Sequence, residues 1–266
     1  MFQTILIQPL TNLLVIFNNW FGSLGWAIIV STILVRVSLI PLILPQLRSG
    51  EAMKKLAPQI KKLKEKHKNS KEKLAKAQMA LYKKEGINPA AGCLPTILQM
   101  AILIALFQVF QKVLSSQDQT AVQALLYKGV SLPSNGINFS FLYLNLPKPD
   151  LLSDCLRSIN FGSLKNNIPG MFLILSAVFQ FLTAKLTQPQ VQEAEKLAEK
   201  TANKSDDMTV MMQKQMLYMM PLMTLLIGLK LPSGVTLYWF VFSLTGLIQQ
   251  LAVKKLGKTR GGENEK

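Results

Sequence analysis

The sequence predicts an all-α membrane protein with five transmembrane helices around a hydrophilic groove open to the cytoplasm. Three observations support this fold class. Hydrophobic residues make up 49% of the 266 residues and are concentrated in long runs, which is typical of membrane spans. The positive charge is unevenly distributed, since 13 of the 30 Lys and Arg lie at positions 46–88. Finally, Arg36 stands alone inside an apolar run long enough to cross a bilayer.

The charge distribution predicts the topology, because positive residues mark cytoplasmic loops. Positions 46–88, 185–215 and the C-terminus are rich in Lys and Arg, whereas positions 111–169 hold only five. The uneven distribution of the +16 net charge is therefore explained first by membrane topology, and only second by binding of a nucleic acid. No Lys or Arg precedes Arg36, and no signal cleavage site is visible. We expect the N-terminus outside and the C-terminus in the cytoplasm.

The N-terminal segment, residues 1–22, is expected to be an interfacial helix on the outer leaflet. Apolar residues recur in it at near-helical spacing, with an early interruption at Pro9. Trp20 and Trp26 are expected at headgroup level. The alternative is a short first span.

The five predicted spans belong to a core at residues 23–253. They cover positions 24–44, 93–111, 168–186, 215–231 and 235–253. An outer loop at 112–167 and a cytoplasmic loop at 187–214 connect them, and a basic cytoplasmic tail at 254–266 is expected to be disordered.

The segment at 46–88 predicts a cytoplasmic hairpin of two helices. One apolar stripe includes Leu56 and Ile60, another includes Leu74 and Leu81, and Ser70 between them is a candidate N-cap. Gly86 is a candidate C-cap. The lysines of this hairpin suit anionic lipid headgroups or ribosomal RNA, although a solvated positive-inside loop explains each of them equally well. These lysines are Lys61, Lys62, Lys64, Lys66, Lys68 and Lys71.

Arg36 is the residue on which the functional hypothesis depends. A charge at the bilayer centre is unfavourable by ~2.5–3.5 kcal/mol on insertion scales, and all 14 acidic residues lie outside the predicted spans. Polar side chains of other spans lie at a similar depth, so they could surround Arg36 in a water-filled cavity. The alternatives are that Arg36 reaches the inner headgroups and that the other residues only bond neighbouring helices. The polar candidates are Gln99, Ser176, Gln180, Thr183, Thr236 and Ser243.

A positively charged recess in half of the membrane favours a protein that accepts a polar or acidic segment of another chain. A channel needs polar residues along its whole length, and a coupled transporter usually has an intramembrane carboxylate. The fourth span adds methionines, whose flexible thioethers pack against varied sequences, although ordinary core or lipid packing also explains them. We take Met216, Met220 and Met223 as candidate apolar contacts for the incoming segment.

Three motifs resemble the YidC family of membrane protein insertases. They are residues 86–95 (GINPAAGCLP) with Gln99, the first-span arginine, and residues 231–234 (LPSG) with 237–239 (LYW) and 249–250 (QQ). The resemblance runs from about residue 24 to residue 250. The chain departs from the family pattern at Ala101, Thr183, Ala184 and Ser243.

The resemblance implies a bacterial plasma membrane protein without a large extracytoplasmic domain, which inserts small membrane proteins with or without the Sec translocon. It makes Arg36 the groove arginine and places Trp239 on a face that contacts substrate. The implied partners are nascent membrane proteins and anionic lipids, with the ribosome and the Sec translocon as further candidates. A membrane chaperone acting with the translocon is the main alternative, and a small transporter is a weaker one.

The sequence does not support an enzyme. The one histidine, His67, lies in the lysine-rich hairpin, and no serine–histidine or metal-binding pattern accompanies it. We therefore expect no catalytic residues, no cofactor, no metal and no small-molecule substrate.

Overall fold

The computed structural model describes residues 2–41, 56–67, 70–86, 94–114, 122–133, 136–152, 168–187 and 208–263. These residues form helices and one short β-hairpin. A π-helical turn, Gln3–Ile7, precedes the first α-helix. The α-helices are α1 (Gln8–Phe21), α2 (Leu24–Ser38), α3 (Ala57–Lys66), α4 (Lys71–Lys84), α5 (Leu94–Leu114), α6 (Met171–Thr187), α7 (Met208–Gly228) and α8 (Ser233–Glu263). The strands are β1 (Ser140–Phe141) and β2 (Leu144–Asn145).

Helix α1 packs along α2 and is tied to the outer loop. The interruption expected at Pro9 takes the form of a change from π-helical to α-helical geometry, with Pro9 in the first turn of α1, where its missing N–H is tolerated. The buried Asn12 side chain donates to the carbonyl of Leu125 at 2.9 Å and accepts from the amide of Tyr127 at 2.7 Å. Helix α1 is therefore anchored by specific hydrogen bonds in addition to its apolar face.

Helices α3 and α4 form the predicted hairpin. Leu56 and Ile60 are buried, and α3 contacts α4. Ser70 is the N-cap of α4, since its hydroxyl accepts from the amide of Lys73, and Gly86 follows the helix with φ +66°. Ser70 and Gly86 therefore occupy the cap positions that the sequence predicts, whereas residues 68–69 of the turn lie outside the described residues and the cytoplasmic hairpin stays a prediction.

Helix α8 is central to the bundle, because it contacts α2, α5 and α6. Helix α7 packs mainly on α6. The core contains Ala27 and Ile28 of α2, Phe110 of α5, Leu173 of α6 and Leu237 of α8. Since α8 contacts both α2 and α6, polar residues on its surface can face either neighbour.

The apolar stretches overlap all five predicted spans; three lie within them, and the stretches in α5 and α8 run two residues past the predicted bounds. In the part of the chain that the structure describes, Ser233–Val253 of α8 is the one stretch long and apolar enough to cross a bilayer by itself. Shorter apolar stretches occupy Leu24–Ser38, Met100–Val113, Met171–Leu186 and Leu217–Gly228. The end of the predicted first span, at positions 42–44, lies outside the described residues. The count of five spans stays a prediction.

The C-terminal tail corrects one expectation. Helix α8 continues past the predicted membrane boundary to Glu263, so most of the tail is helical and not disordered. Lysine, leucine and arginine favour this continuation and no proline interrupts it, whereas Gly257, Gly261 and Gly262 oppose it by about 1 kcal/mol each.

A β-hairpin in the outer loop corrects the all-α prediction. Strands β1 and β2 pair antiparallel, with Phe141 opposite Leu144. The segment around it closes one end of the bundle, because Asn138 and Lys148 accept backbone hydrogen bonds from the first residues of α2 and α8. The outer loop is therefore an integral part of the bundle.

Asp150 provides the third connection to a helix start. This carboxylate is 1% exposed. One oxygen accepts from the amide of Leu173 in α6 and the other from the hydroxyl of Tyr143, both at 2.9 Å. A carboxylate at a helix N-terminus is favoured by the free N–H groups and by the helix dipole. One loop thus binds the N-terminal ends of α2, α6 and α8.

Candidate functional site around Arg36

The guanidinium of Arg36 lies on α8. Its Cζ is 3.7 Å from the centre of the Phe242 ring, a cation–π contact. It also lies over Gly246, where an added Cβ would collide with Nη2. The side chain is partly buried. Phe242 and Gly246, one helical turn apart, therefore form a contact surface for the guanidinium, which we call the seat of Arg36.

Ser243 and Gly246 of α8 are small and permit this approach. Thr236, Ser243, Gly246 and Gln250 are all buried and recur at steps of seven, three and four, which places them on one side of the helix. Small residues let membrane helices come close together. The face of α8 predicted to line the groove is therefore the face on which α8 packs against its neighbours.

Several buried polar atoms of α2 and α8 lack hydrogen-bond partners among the described residues. They include Nε of Arg36 and the hydroxyls of Ser31 on α2 and of Thr236 and Ser243 on α8. More than about 90% of buried polar groups in proteins are hydrogen-bonded. The Nε of Arg36 and the hydroxyl of Ser243, which is next to Phe242 in sequence, therefore have an unused capacity to bind water or a polar ligand beside the cation.

No acidic side chain within the described ranges neutralises Arg36. A cation with an aromatic neighbour and no carboxylate keeps its guanidinium available to an added anion. That Arg36 has no ionic partner anywhere in the bundle stays a prediction.

The polar residues of α6 make other contacts. Gln180 accepts a hydrogen bond from the hydroxyl of Thr224 on α7 at 2.8 Å. Ser176 donates to the carbonyl of Leu173, and Thr183 to that of Phe179, both at 2.8 Å. In this conformation, Ser176 and Thr183 bond to the backbone of α6, and Gln180 bonds to α7. The Gln180 contact is of the kind expected if these residues only connect neighbouring helices.

The remaining candidates occupy three kinds of environment. Trp239 is 9% exposed and belongs to the core. Met220 and Met223 are exposed on α7. The side chains of Gln99 and Met216 lie outside the described residues. The structure thus places an apolar surface on α7 and leaves a role of Trp239 in substrate contact as a prediction.

The hairpin lysines are described only in part. Lys62 and Lys66 are exposed on α3. The side chains of four others are outside the described residues, namely Lys61, Lys64, Lys68 and Lys71. Their contact with lipid or ribosome stays a prediction.

Sequence reasoning missed the seat of Arg36 and the partner of Gln180. A phenylalanine such as Phe242 is unremarkable in an apolar helix, and Gly246 is not among the polar residues that the sequence singles out. Their position on the same side of α8 as Ser243 was the available signal. Thr224 carried none, because a threonine in an apolar helix usually bonds to its own backbone.

The comparisons with known proteins agree with the sequence motifs. The family model described as 60Kd inner membrane protein matches residues 16–260. The chain is 32% identical over 254 residues to the membrane protein insertase YidC of Fusobacterium nucleatum, covering 95% of this chain and 97% of that protein. It is 30% identical to membrane protein insertase YidC 2 of Bacillus anthracis, covering 93% and 79%.

A solved structure shares the fold. It is described as an active YidC insertase crystal structure with the first transmembrane domain resolved. The TM-score is 0.55 at 24% identity, and the alignment covers 91% of this chain and 44% of the other. The helical architecture around Arg36 is therefore one already known from a longer protein.

Proposed function

Because the chain belongs to the 60Kd inner membrane protein family, we propose that it acts as a membrane protein insertase in which Arg36 receives the polar tail of an incoming segment. Its relatives are named as insertases, and it is not an enzyme in the catalytic sense. In this mechanism a nascent hydrophobic segment enters from the cytoplasm, its polar or acidic tail binds beside Arg36, and its apolar part moves sideways into lipid.

The seat of Arg36 on α8 is the observation that carries this proposal. The cation rests on Phe242 without a carboxylate among the described residues. An acidic tail would supply the missing charge, and the unpaired hydroxyl of Ser243 beside Phe242 would supply a further hydrogen bond. Since an ionic group at the bilayer centre costs several kcal/mol, these contacts lower the barrier to its transfer without a chemical fuel.

Helix α7 supports the lateral step. Met219, Met220 and Met223 are exposed, together with Leu222 and Leu226. This surface suits varied apolar segments because thioether side chains adapt to different shapes. In the proposed mechanism it borders the path of the incoming helix. The same surface favours the second candidate function, a chaperone that pairs spans already inserted by the Sec translocon.

The topology and the further partners are part of the proposal. The N-terminus lies outside, and the α3–α4 hairpin and the C-terminus lie in the cytoplasm, as the charge distribution predicts. The five apolar helices cross the membrane. The hairpin lysines bind anionic lipids and, during synthesis, the ribosome.

Purified protein in liposomes without a translocon separates the two functions. We expect unaided insertion of a small substrate that has an acidic translocated tail. A chaperone would instead leave that substrate uninserted until the translocon is added, and this result would overturn the proposal.

Arg36 is tested in the same assay with two variants. Arg36→Ala should reduce insertion of the acid-tailed substrate, whereas Arg36→Lys should retain part of it, because lysine keeps the charge but loses the planar stacking on Phe242. A substrate with a neutral tail is the matched control. Equal loss for both tails would show a structural defect and not charge recognition.

A further inference from the structure

Four large apolar side chains are exposed where α1, α2 and the β-hairpin meet. Trp20 and Phe21 end α1, Trp26 lies in the first turn of α2, and Leu142 is at the hairpin tip. Their exposed fractions are 75%, 49%, 51% and 77%. We call these four residues the corner patch.

Direct contacts hold the hairpin against this corner. The amide of Leu24 donates to the carbonyl of Asn138 at 3.2 Å. The rings of Trp26 and Phe141 meet edge to face with centroids 5.6 Å apart. Phe141 also packs against the Cα of Gly25, where an added Cβ would collide with its ring. Because Phe141 is held against α2, the position of the next residue, Leu142, relative to α2 is fixed as well.

The backbone at Leu142 is unusual. Its φ is +53°, and it is the one described residue other than glycine with a positive φ. Two-residue hairpin turns prefer asparagine or glycine at such positions, and a bulky residue there is an outlier. Strain of this kind is concentrated at functional positions. Here it presents an apolar side chain outward, where a polar residue would fit the turn better.

The corner patch continues into an exposed stripe of α2. Trp26, Ile33 and Val37 are exposed and separated by seven and four residues, so they share one helix face. In a membrane-spanning α2 this face meets lipid. Trp26 belongs to both the corner patch and this stripe and is the first residue of the stripe. The corner patch therefore lies at the level where α2 enters the bilayer.

We propose that the corner patch is a lipid-anchoring surface, which inserts into the boundary between headgroups and acyl chains of the leaflet where α2 begins. Tryptophan favours this level because its ring is apolar and its N–H is polar. Leucine and phenylalanine beside it add apolar area, as on helices that bind membrane surfaces. The β-hairpin, and with it the outer loop that binds the starts of α2, α6 and α8, is thereby held at a defined depth. This proposal depends on the membrane location of the family and not on the role of Arg36.

Depth-dependent quenching tests the anchor in the full-length chain. Leu142→Cys is introduced after Cys93→Ser and Cys155→Ser, labelled with the fluorophore NBD and reconstituted into phosphatidylethanolamine–phosphatidylglycerol nanodiscs. Lys148→Cys, at an exposed position of the same loop, is the matched control. We expect position 142 to lose fluorescence with lipids that carry a quencher ~5–10 Å below the surface and to be insensitive to aqueous iodide. Position 148 should show the reverse.

Iodide quenching of position 142 at the level of position 148, without lipid quenching, would overturn the proposal. Shielding of position 142 from both quenchers would also overturn it, because a protein contact and not lipid would then cover the patch. A second measurement avoids substitutions in the hairpin. In Trp239→Phe, Trp20 and Trp26 are the remaining tryptophans. Their emission should be quenched more by lipids brominated near the headgroup than by lipids brominated at the chain end, and the opposite order would contradict the anchor.

Discussion

Replacing Gly246 with alanine should move the guanidinium of Arg36 while leaving the bundle folded. The new Cβ would occupy the place of Nη2. Because Nη2 is the far end of a flexible side chain, the arginine can turn away without a shift of α8. The contact with Phe242, now at 3.7 Å, would then be lost or weakened.

Two opposing terms set the effect on stability. A desolvated cation–π contact contributes up to ~2 kcal/mol. Alanine in place of glycine inside a helix contributes about 1 kcal/mol in the other direction. The free energy of unfolding of Gly246→Ala should therefore stay within about 1 kcal/mol of the parent value.

Insertion should respond more strongly than stability. If the seat presents Arg36 to the acidic tail, its loss removes ~1–2 kcal/mol of stabilisation from the rate-limiting transfer. That corresponds to insertion slower by about 5- to 30-fold. The assay is initial insertion of an acid-tailed substrate in proteoliposomes, with the amount of folded protein measured in parallel.

A double-mutant cycle tests whether Gly246 acts through Arg36. In an Arg36→Ala background, Gly246→Ala should cause no further decrease in insertion. Additive losses would refute the reasoning, because they would mean that the glycine serves helix packing independently of the cation. An unchanged insertion rate in the single variant would refute it as well.

Substitutions at three further contacts test what holds the bundle together. Asp150→Ala removes the acceptor for Leu173 and Tyr143 and should lower the free energy of unfolding in detergent by about 3 kcal/mol, whereas Tyr143→Phe should cost about 1 kcal/mol; equal effects would contradict a charged helix cap. Asn12→Ala should destabilise by about 2 kcal/mol, with faster amide hydrogen exchange at Tyr127 as the local readout, and unchanged exchange would argue against the hydrogen bond. Thr224→Val should cost only ~0.6 kcal/mol, and a cycle with Gln180→Leu should show coupling of that size if the two side chains share a bond.

Local sequence signals predicted the helices α3 and α4 and the two caps of α4. Ser70 follows a turn and precedes a helix-forming run, and Gly86 ends that run before a proline. Caps of this kind depend on a few neighbouring residues, so they are readable without the fold. The apolar helices were predictable for a similar reason, since their composition is a property of each segment alone.

Contacts between distant segments could not be read in this way. The charge of Arg36 in an apolar run was visible, but its place on Phe242 depends on the rotation of α8 against α2. Gln180 was assigned to the neighbourhood of Arg36 from its depth alone, and depth does not determine which neighbour a side chain faces. Thr224 on α7 is the partner that the structure shows.

The contacts of the outer loop were the part of the fold that the sequence predicted least. Asp150 lies 21 residues before Met171, the first residue of α6, so no local pattern links it to the amide of Leu173. The β-hairpin had a weak signal in the alternation of Phe139, Phe141 and Tyr143. A pair of two-residue strands is too short for that alternation to decide against a loop.

The most direct test asks whether the tail of a client lies beside Arg36 during insertion. A photoreactive residue at position 243, in the buried part of α8 near the cation, is compared with one at position 248, which is exposed on α8. With a ribosome-stalled client whose acidic tail is radiolabelled, the account predicts crosslinks from position 243 that disappear in Arg36→Ala. Crosslinks from position 248 alone, or from position 243 with no dependence on Arg36, would contradict it.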